Sequence, residues 1–224
     1  MADAVILAGG QRKSMRKARE SADGARFLDL ILRQMEGSAV VGKVIFAACP
    51  EPVFERFGKM DLPFETVFSR EEEPLGTGGA LIKASRLAGT EEILVFRGES
   101  FIESDIDDLV NFHRESGAPF TMVLKEVEDT RGYGRAEVNE ECRIVSFGRR
   151  RSKRSAGFID AGAYVFEREL LIDEPLREAS LEEGLLPEYI RCGGYGYVVN
   201  GKFFDIRMPE AYRAAEGLPK SGFA

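Results

Sequence analysis

Histidine is nearly missing: His113 is the only one in 224 residues. That argues against a zinc centre built on histidines, and a Ser-His-Asp triad would have to be built around this one side chain. His113 lies in Leu109-Val-Asn-Phe-His-Arg-Glu, a helical pattern, and reads as a structural or surface residue. Cysteine is scarce as well. Cys49, Cys142 and Cys192 show no metal-binding spacing, and an odd, scattered set suits a reducing, cytoplasmic setting better than a disulfide framework. No apolar run approaches the roughly 20 residues that a bilayer span requires, so no membrane partner is expected. The chain opens directly on a strand-like run, and no signal peptide is read there. Positive charge is short: 31 Lys and Arg against 38 Asp and Glu give a net charge of −7. Binding of nucleic acid through overall charge is therefore not expected, although local basic clusters remain.

What is present is an ordinary globular balance, 44% hydrophobic and 31% charged, on a chain long enough for one large domain. Strand-like runs fall at 4–8, 43–48, 65–69, 92–96, 120–125, 136–138, 144–147, 162–166 and 195–199. Helical periodicity falls at 27–35, 78–87, 104–115, 167–171, 181–190 and 209–216. The first half thus reads βαβαβ, a mostly parallel sheet flanked by helices, and the short middle strands predict a mixed or antiparallel portion. There is no repeat and no low-complexity linker, so residues 1–224 are expected to form one domain. Val44-Ile-Phe-Ala-Ala-Cys49 has the character of a strand buried on both faces. The segment from Ser104 opens with a capping residue followed by acids at the positive end of a helix.

Four stretches could carry chemistry. Val5-Ile-Leu runs into Ala8-Gly9-Gly10, where the lack of Cβ atoms lets backbone N–H groups approach a phosphate, and Arg12, Lys13, Arg16, Lys17 and Arg19 would add positive charge. The same residues also fit a plain strand-to-loop turn with a solvated basic face. Glu71-Glu-Glu-Pro-Leu-Gly-Thr-Gly-Gly-Ala80 leaves bare backbone just before a helix, open to the face or edge of a flat ring, with Thr77 adding a hydroxyl; a helix-initiating turn is the bland alternative. Glu99 and Asp205 are acids placed after strand-like runs, of the kind that hold Mg²⁺ together with substrate phosphates. Arg149-Arg-Arg-Ser-Lys-Arg154 could hold a second phosphate or could be a solvated loop. Neither a Walker A loop nor the G-x-G-x-x-G fingerprint is present, which weakens ATPase and dinucleotide readings.

In combination, Val5-Ile-Leu-Ala-Gly-Gly10, Glu72-Glu-Pro-Leu-Gly-Thr-Gly-Gly-Ala80, Arg131-Gly-Tyr-Gly134, Phe158-Ile-Asp-Ala-Gly-Ala-Tyr-Val165 and Phe204-Asp-Ile resemble the sugar-1-phosphate nucleotidylyltransferase family, most closely its D-glycero-D-manno-heptose 1-phosphate guanylyltransferase branch. The resemblance runs in order along nearly the whole chain. It implies an α/β fold, a Rossmann-like three-layer α/β/α sandwich with a mixed, mostly parallel central sheet. It implies transfer of a nucleoside monophosphate, GMP from GTP in this branch, to a sugar 1-phosphate with Mg²⁺ and release of pyrophosphate. The nucleotide would be held by Leu7, Ala8, Gly9, Gly10 and Arg12, and its base by Gly76, Thr77 and Gly78. Glu99 and Asp205 would hold the metal. Gly134, Arg149 and Asp160 would meet the sugar phosphate, and Arg16, Lys17 and Asp205 would carry the catalytic charge handling. Family members often pair, which implies a homodimer.

The departures from the family pattern cluster at charge-handling positions. Gln11-Arg-Lys-Ser14 stands where the family has Leu-Gly-Thr-Arg, and no Pro-Lys-Pro occurs between Arg16 and Phe27. Arg97-Gly-Glu99 replaces Asn-Gly-Asp, Gly148-Arg149 replaces Glu-Lys, and Asp160 replaces Asn. Arg97 beside Glu99 raises the expectation of an ion pair at the metal position. A catalytically impaired relative that binds a nucleotide, a nucleotide-sugar or a partner subunit is therefore the alternative reading.

Overall fold

Along β1 (Ala2–Leu7) side chains alternate between two apolar layers, with Ala2, Ala4 and Ile6 in one and Val5 and Leu7 in the other. The same period-two division separates Val44 and Phe46 from Ile45 and Ala47 in β2 (Val41–Ala47), and Leu94 and Phe96 from Ile93 and Val95 in β4 (Glu92–Arg97). Strands that are apolar on both sides must be covered on both sides, and each fully buried aliphatic or aromatic side chain contributes about 1.5–3 kcal/mol. In this computed structural model, residues 1–9, 22–48, 51–149 and 154–205 are described.

The main sheet runs β10-β6-β9-β4-β1-β2-β3, where β3 is Glu65–Ser69, β6 Phe120–Val127, β9 Gly157–Glu167 and β10 Tyr195–Val199. β3, β2, β1 and β4 are mutually parallel, β9 is antiparallel to β4 and β6, and β10 is parallel to β6. β7 (Gly134–Val138) and β8 (Ile144–Arg149) form a hairpin attached to β9. On one face lie α1 (Ala22–Glu36), α2 (Glu51–Phe57) and α4 (Ile106–Ser116); on the other lie α3 (Gly76–Ser85), α5 (Arg168–Ile172) and α6 (Leu186–Arg191). This is the expected three-layer sandwich with a mixed, mostly parallel sheet.

The chain leaves β1 toward β2 and β3, then crosses back through α3 to place β4 on the other side of β1. The order of winding therefore reverses between β1 and β4, and open α/β sheets take their ligands in the crevice outside such strand ends. A separate two-stranded ladder of β5 (Ser100–Ile102) and β11 (Phe203–Asp205) lies just beyond the β4 end.

Several local expectations are corrected. The cap of α4 is Asp105, whose carboxylate accepts from the Asp108 N–H at 3.0 Å. Ser104 instead accepts from the Gln34 side chain through its hydroxyl at 3.2 Å. The helix expected over 181–190 is two elements, a π-helix at Leu181–Leu185 followed by α6, because Pro187 in the first turn of α6 has no N–H for a continuous helix. The short elements α2, β5 and β11 were not expected. The helix expected over 209–216 lies outside the described residues. His113 is a buried structural histidine, with Nδ1 2.8 Å from the Thr121 hydroxyl and Nε2 3.3 Å from Glu167.

Candidate active site

The β1 tip is built by close backbone approach. Leu7 is in register with both Ala47 and Arg97, the Ala8 N–H donates to the Ala47 carbonyl at 3.0 Å, and the Gly98 N–H donates to the Leu7 carbonyl at 3.2 Å. A Cβ on Gly9 would collide with the Ala48 side chain and lie 2.6 Å from the Ala48 carbonyl oxygen. Gly9 is thus required by the packing of the strand tips, and the chain emerges at the point where winding reverses. Gly10, Arg12, Arg16 and Lys17 lie outside the described residues, so the expected role of Gly10 rests on the sequence resemblance and those of the three cations on their charge beside the glycines.

The two acids expected to hold a cation come together from opposite ends of the chain. In the antiparallel β5–β11 ladder Asp205 pairs with Ser100, the residue that follows Glu99. Asp205 is 2% exposed and Glu99 8%. Phe101 and Phe204 stack at 6.4 Å beside them and keep the ladder apolar on its flank. Two carboxylates near the β4 end are a hard oxygen donor set of the kind that fits a Mg²⁺ completed by phosphate oxygens and water. Among the described residues no group of three or more His, Cys, Asp or Glu converges as a closed metal cage.

Arg97 does not direct its charge chiefly at Glu99. Its Nη1 lies 3.3 Å from Asp160 Oδ2 and makes a close ion pair with Glu182 from the π-helix, while Nη2 donates to the Asp160 carbonyl at 3.3 Å. Gly162 makes room for this guanidinium: its φ is +84, and a Cβ there would lie 2.6 Å from Arg97 Nε. Asp160 also accepts from the Tyr164 hydroxyl and from the Gly162 N–H, each at 2.8 Å. Burial alone would push Arg97 toward the neutral form, but Asp160, Tyr164, Glu182 and Glu99 outweigh it and hold the guanidinium charged. Burial raises the Asp160 carboxyl above its usual range, with Arg97 pulling the other way. Two departures from the family pattern, Arg97 and Asp160, are therefore partners of each other.

The glycine-rich stretch is clasped by the protein's own chain. The Gly78 N–H donates to the Ala179 carbonyl at 2.8 Å, and the Ala179 N–H donates to the Leu75 carbonyl at 2.9 Å. The Leu181 N–H donates to the Thr77 hydroxyl at 2.9 Å. A Cβ on Gly76, whose φ is +70, would lie 2.5 Å from the Ala179 carbonyl oxygen, and one on Gly79 would collide with the Arg177 carbonyl. The bare backbone that sequence reading offered to a flat ring thus also seats residues 177–179. This strap escaped the sequence reading; its one local signal is Ser180, whose hydroxyl caps the π-helix by accepting from the Glu183 N–H at 3.2 Å.

The remaining expected residues group at the neighbouring hairpin. Gly134 and Arg149 are backbone partners across β7 and β8, and a Cβ on Gly134 would lie 3.7 Å from Asp160 Cβ. Residues 150–153 of the basic run lie outside the described residues, and Arg154 pairs with Glu128 at 3.6 Å. Leu7, Ala8, Gly9, Glu99, Asp160 and Asp205 are therefore brought to one end of the sheet, with Gly134 beside them and Thr77 joined to them through the strap.

The chain is 31% identical to mannose-1-phosphate guanylyltransferase of Mycobacterium tuberculosis, over 94% of this chain and 62% of that protein. It is 27% identical to D-glycero-alpha-D-manno-heptose 1-phosphate guanylyltransferase of Aneurinibacillus thermoaerophilus, with 96% of each chain covered. Thus it spans nearly the full length of the second relative and under two thirds of the first. Among solved structures it superposes on HddC from Yersinia pseudotuberculosis with a TM-score of 0.81 at 23% identity, over 96% of this chain and 98% of that one, a likeness of fold. HddC complexed with GMP-PN gives 0.77 at 24% identity over the same shares. The nucleotidyl transferase family pattern matches residues 3–191, which include β1, the crossover through α3, the β4 tip and β9. A glycine-tipped β1 beside a carboxylate-bearing β4 end, matched over that span, makes the chain a member of the nucleotidyl transferase family.

Proposed function

We propose that the protein is a sugar-1-phosphate guanylyltransferase: it transfers GMP from GTP to a sugar 1-phosphate, a heptose 1-phosphate by its likeness to relatives that it spans over nearly their full length, and releases pyrophosphate for nucleotide-sugar biosynthesis. The observation that carries this reading is the register of Asp205 with Ser100, which sets Asp205 beside Glu99 just beyond the β1–β4 reversal. The names of the mannose and heptose guanylyltransferase relatives support the base and the substrate class.

In the reaction, a phosphate oxygen of the sugar 1-phosphate forms a bond to the α-phosphorus of GTP, and the bond from that phosphorus to the β-phosphate bridging oxygen breaks with its electron pair. The protein's task is alignment and compensation of negative charge. Backbone at Leu7, Ala8 and Gly9 receives the triphosphate; the stretch Gly76-Thr77-Gly78 lies toward the base. Glu99 and Asp205 would hold Mg²⁺, which would supply positive charge to compensate that of the leaving pyrophosphate. Gly134 lines the sugar side with the buried Asp160 behind it, and Arg12, Arg16, Lys17 and Arg149 supply cationic contacts to phosphate. A cytoplasmic setting and a homodimer complete the proposal, the latter checked by the particle mass in solution.

The test is pyrophosphate release from GTP and Mg²⁺ with mannose and heptose 1-phosphates. Turnover should depend on the sugar phosphate, stop on chelation of the metal, and fall by about 10²-fold or more in Asp205→Asn. Absence of release with every nucleoside triphosphate and sugar 1-phosphate tried, together with a nucleotide-dependent rise in melting temperature, would replace this reading with that of a non-catalytic binder.

A further inference from the structure

We propose that Glu182, held in place by Arg97 and Asp160, is the residue by which this chain reads a ring hydroxyl of its sugar 1-phosphate; the inference rests on the transfer activity proposed above. Three elements meet in this network: Arg97 ends β4, Asp160 lies on β9, and Glu182 comes from the π-helix. Their side chains are 6%, 1% and 27% exposed, so a ligand can reach Glu182 and cannot reach the other two without displacing them. Asp160 is already committed to Gly162 and Tyr164 as well as to Arg97. Its place, in contact with the guanidinium and close to Gly134, makes it a support for Glu182.

The charge balance defines the ligand. One guanidinium faces two carboxylates, Asp160 and Glu182, so the network holds no surplus positive charge for an anion to meet. An ionised carboxylate is an acceptor with about four lone-pair sites, of which Arg97 occupies a part at Glu182. A hydroxyl, which donates, satisfies the rest. A carboxylate or second phosphate on the sugar would bring a third negative charge to a partly buried site and be rejected. The class selected is therefore a neutral polyhydroxyl sugar 1-phosphate, with uronic acid 1-phosphates excluded. Glu182 also follows Leu181, whose N–H is bonded to Thr77. One turn of π-helix thus joins the base-side loop to the sugar side, a placement common for π-helical insertions at working sites.

The full-length chain is tested by steady-state kinetics with GTP, Mg²⁺ and the sugar 1-phosphate of fastest turnover, together with its single-deoxy analogues. Glu182→Ala should raise the KM for the sugar phosphate about tenfold, equivalent to about 1.4 kcal/mol, and leave the KM for GTP within about twofold. One deoxy analogue should show the same penalty in the wild type and no further penalty in Glu182→Ala, as in a double-mutant cycle. Glu182→Gln retains an acceptor oxygen for Arg97 and guards against misfolding of the alanine variant; it should show an intermediate rise in KM for the sugar phosphate. The double variant R97N/D160N removes both buried charges together and should lose the deoxy discrimination while kcat changes less than KM. An unchanged KM for the sugar phosphate in Glu182→Ala, with turnover intact, overturns this inference and leaves the transfer activity standing. Loss of GTP binding in Glu182→Gln assigns the residue a structural role and also overturns it. A wild-type chain that turns over no sugar 1-phosphate overturns both.

Discussion

Gly76 and Gly117 both adopt left-handed backbone, at φ +70 and +59, yet they are not equivalent. Nothing lies within 4 Å of a Cβ built on Gly117, whereas one on Gly76 meets the Ala179 carbonyl at 2.5 Å. Gly117→Ala should therefore cost only the left-handed strain, about 1–2 kcal/mol. Gly76→Ala adds a backbone collision and should cost roughly 1–3 kcal/mol more, of the size seen for overpacking. It should also raise the KM for GTP, because the strap and the loop under it must separate. Urea melts of the two variants, read as midpoints at constant slope, check the ranking; equal losses would show that residues 177–179 yield freely. At this scale the sequence marked Gly76, Gly78 and Gly79 as bare backbone but not what lies against it, since their partners at 177–179 lie about a hundred positions away and carry no local pattern. The same limit applies to Arg97, which reads as a threat to the metal position until Asp160 and Glu182 are seen to take its charge.

At the scale of elements, α4 and β6 enclose His113, and burial lowers its pKa from 6.5 to about 4, with Glu92 opposing the shift and Arg114 adding to it. The unfolded chain takes up this proton first as pH falls, so folding stability is present in full above about pH 6.5 and is lost progressively as pH drops toward 4. The loss is on the order of 2–3 kcal/mol. Glu167, raised by burial and then by Glu92, Glu91 and Glu169, contributes the opposite slope over part of that window. Chemical denaturation from pH 7.5 to 4.5 in wild type and His113→Gln isolates the histidine; the slope should be shallower in the variant, and identical slopes would refute the assignment.

Elements apolar on both faces, such as β1, β2 and β4, were legible because four or more consecutive apolar residues leave no solvent side. Three-residue strands such as β5 and β11 were not, since their pairing is set by neighbours a hundred residues apart. The cap of α4 shifted by one residue because Ser104 found a partner in Gln34 on a distant helix.

For the whole molecule, the crevice gathers parts of β1, α3, β4, β9, the π-helix and β11, so a ligand seated there should stabilise the entire cooperative unit. At a free GTP concentration about 100 times Kd the folded state gains about 2.7 kcal/mol. For a chain of this size that raises Tm by roughly 5–10 °C. Differential scanning calorimetry with GTP and Mg²⁺ checks it. A shift of the same size with ATP, CTP and UTP would show that the base is not read. The mostly parallel sheet was foreseeable from the βαβαβ pattern, whereas its reversal between β1 and β4 was not, because that pattern leaves the strand order open. The assembly of the site was foreseeable only through family motifs, because its acids are separated by 106 positions, from 99 to 205.

With Glu99 and Asp205 in the roles proposed above, the β5–β11 ladder also sets the moment at which the molecule would become competent. During synthesis the ribosome delivers Asp205 after every described strand of the main sheet, of which the last ends at Val199. A nascent chain released at residue 202 possesses its scaffold, its glycine tip and Glu99, but only half of the pair that would grip the metal. A protease that clips the link between β10 and β11 would sever Asp205 from the continuous chain of the main sheet and leave the three-residue ladder to hold it.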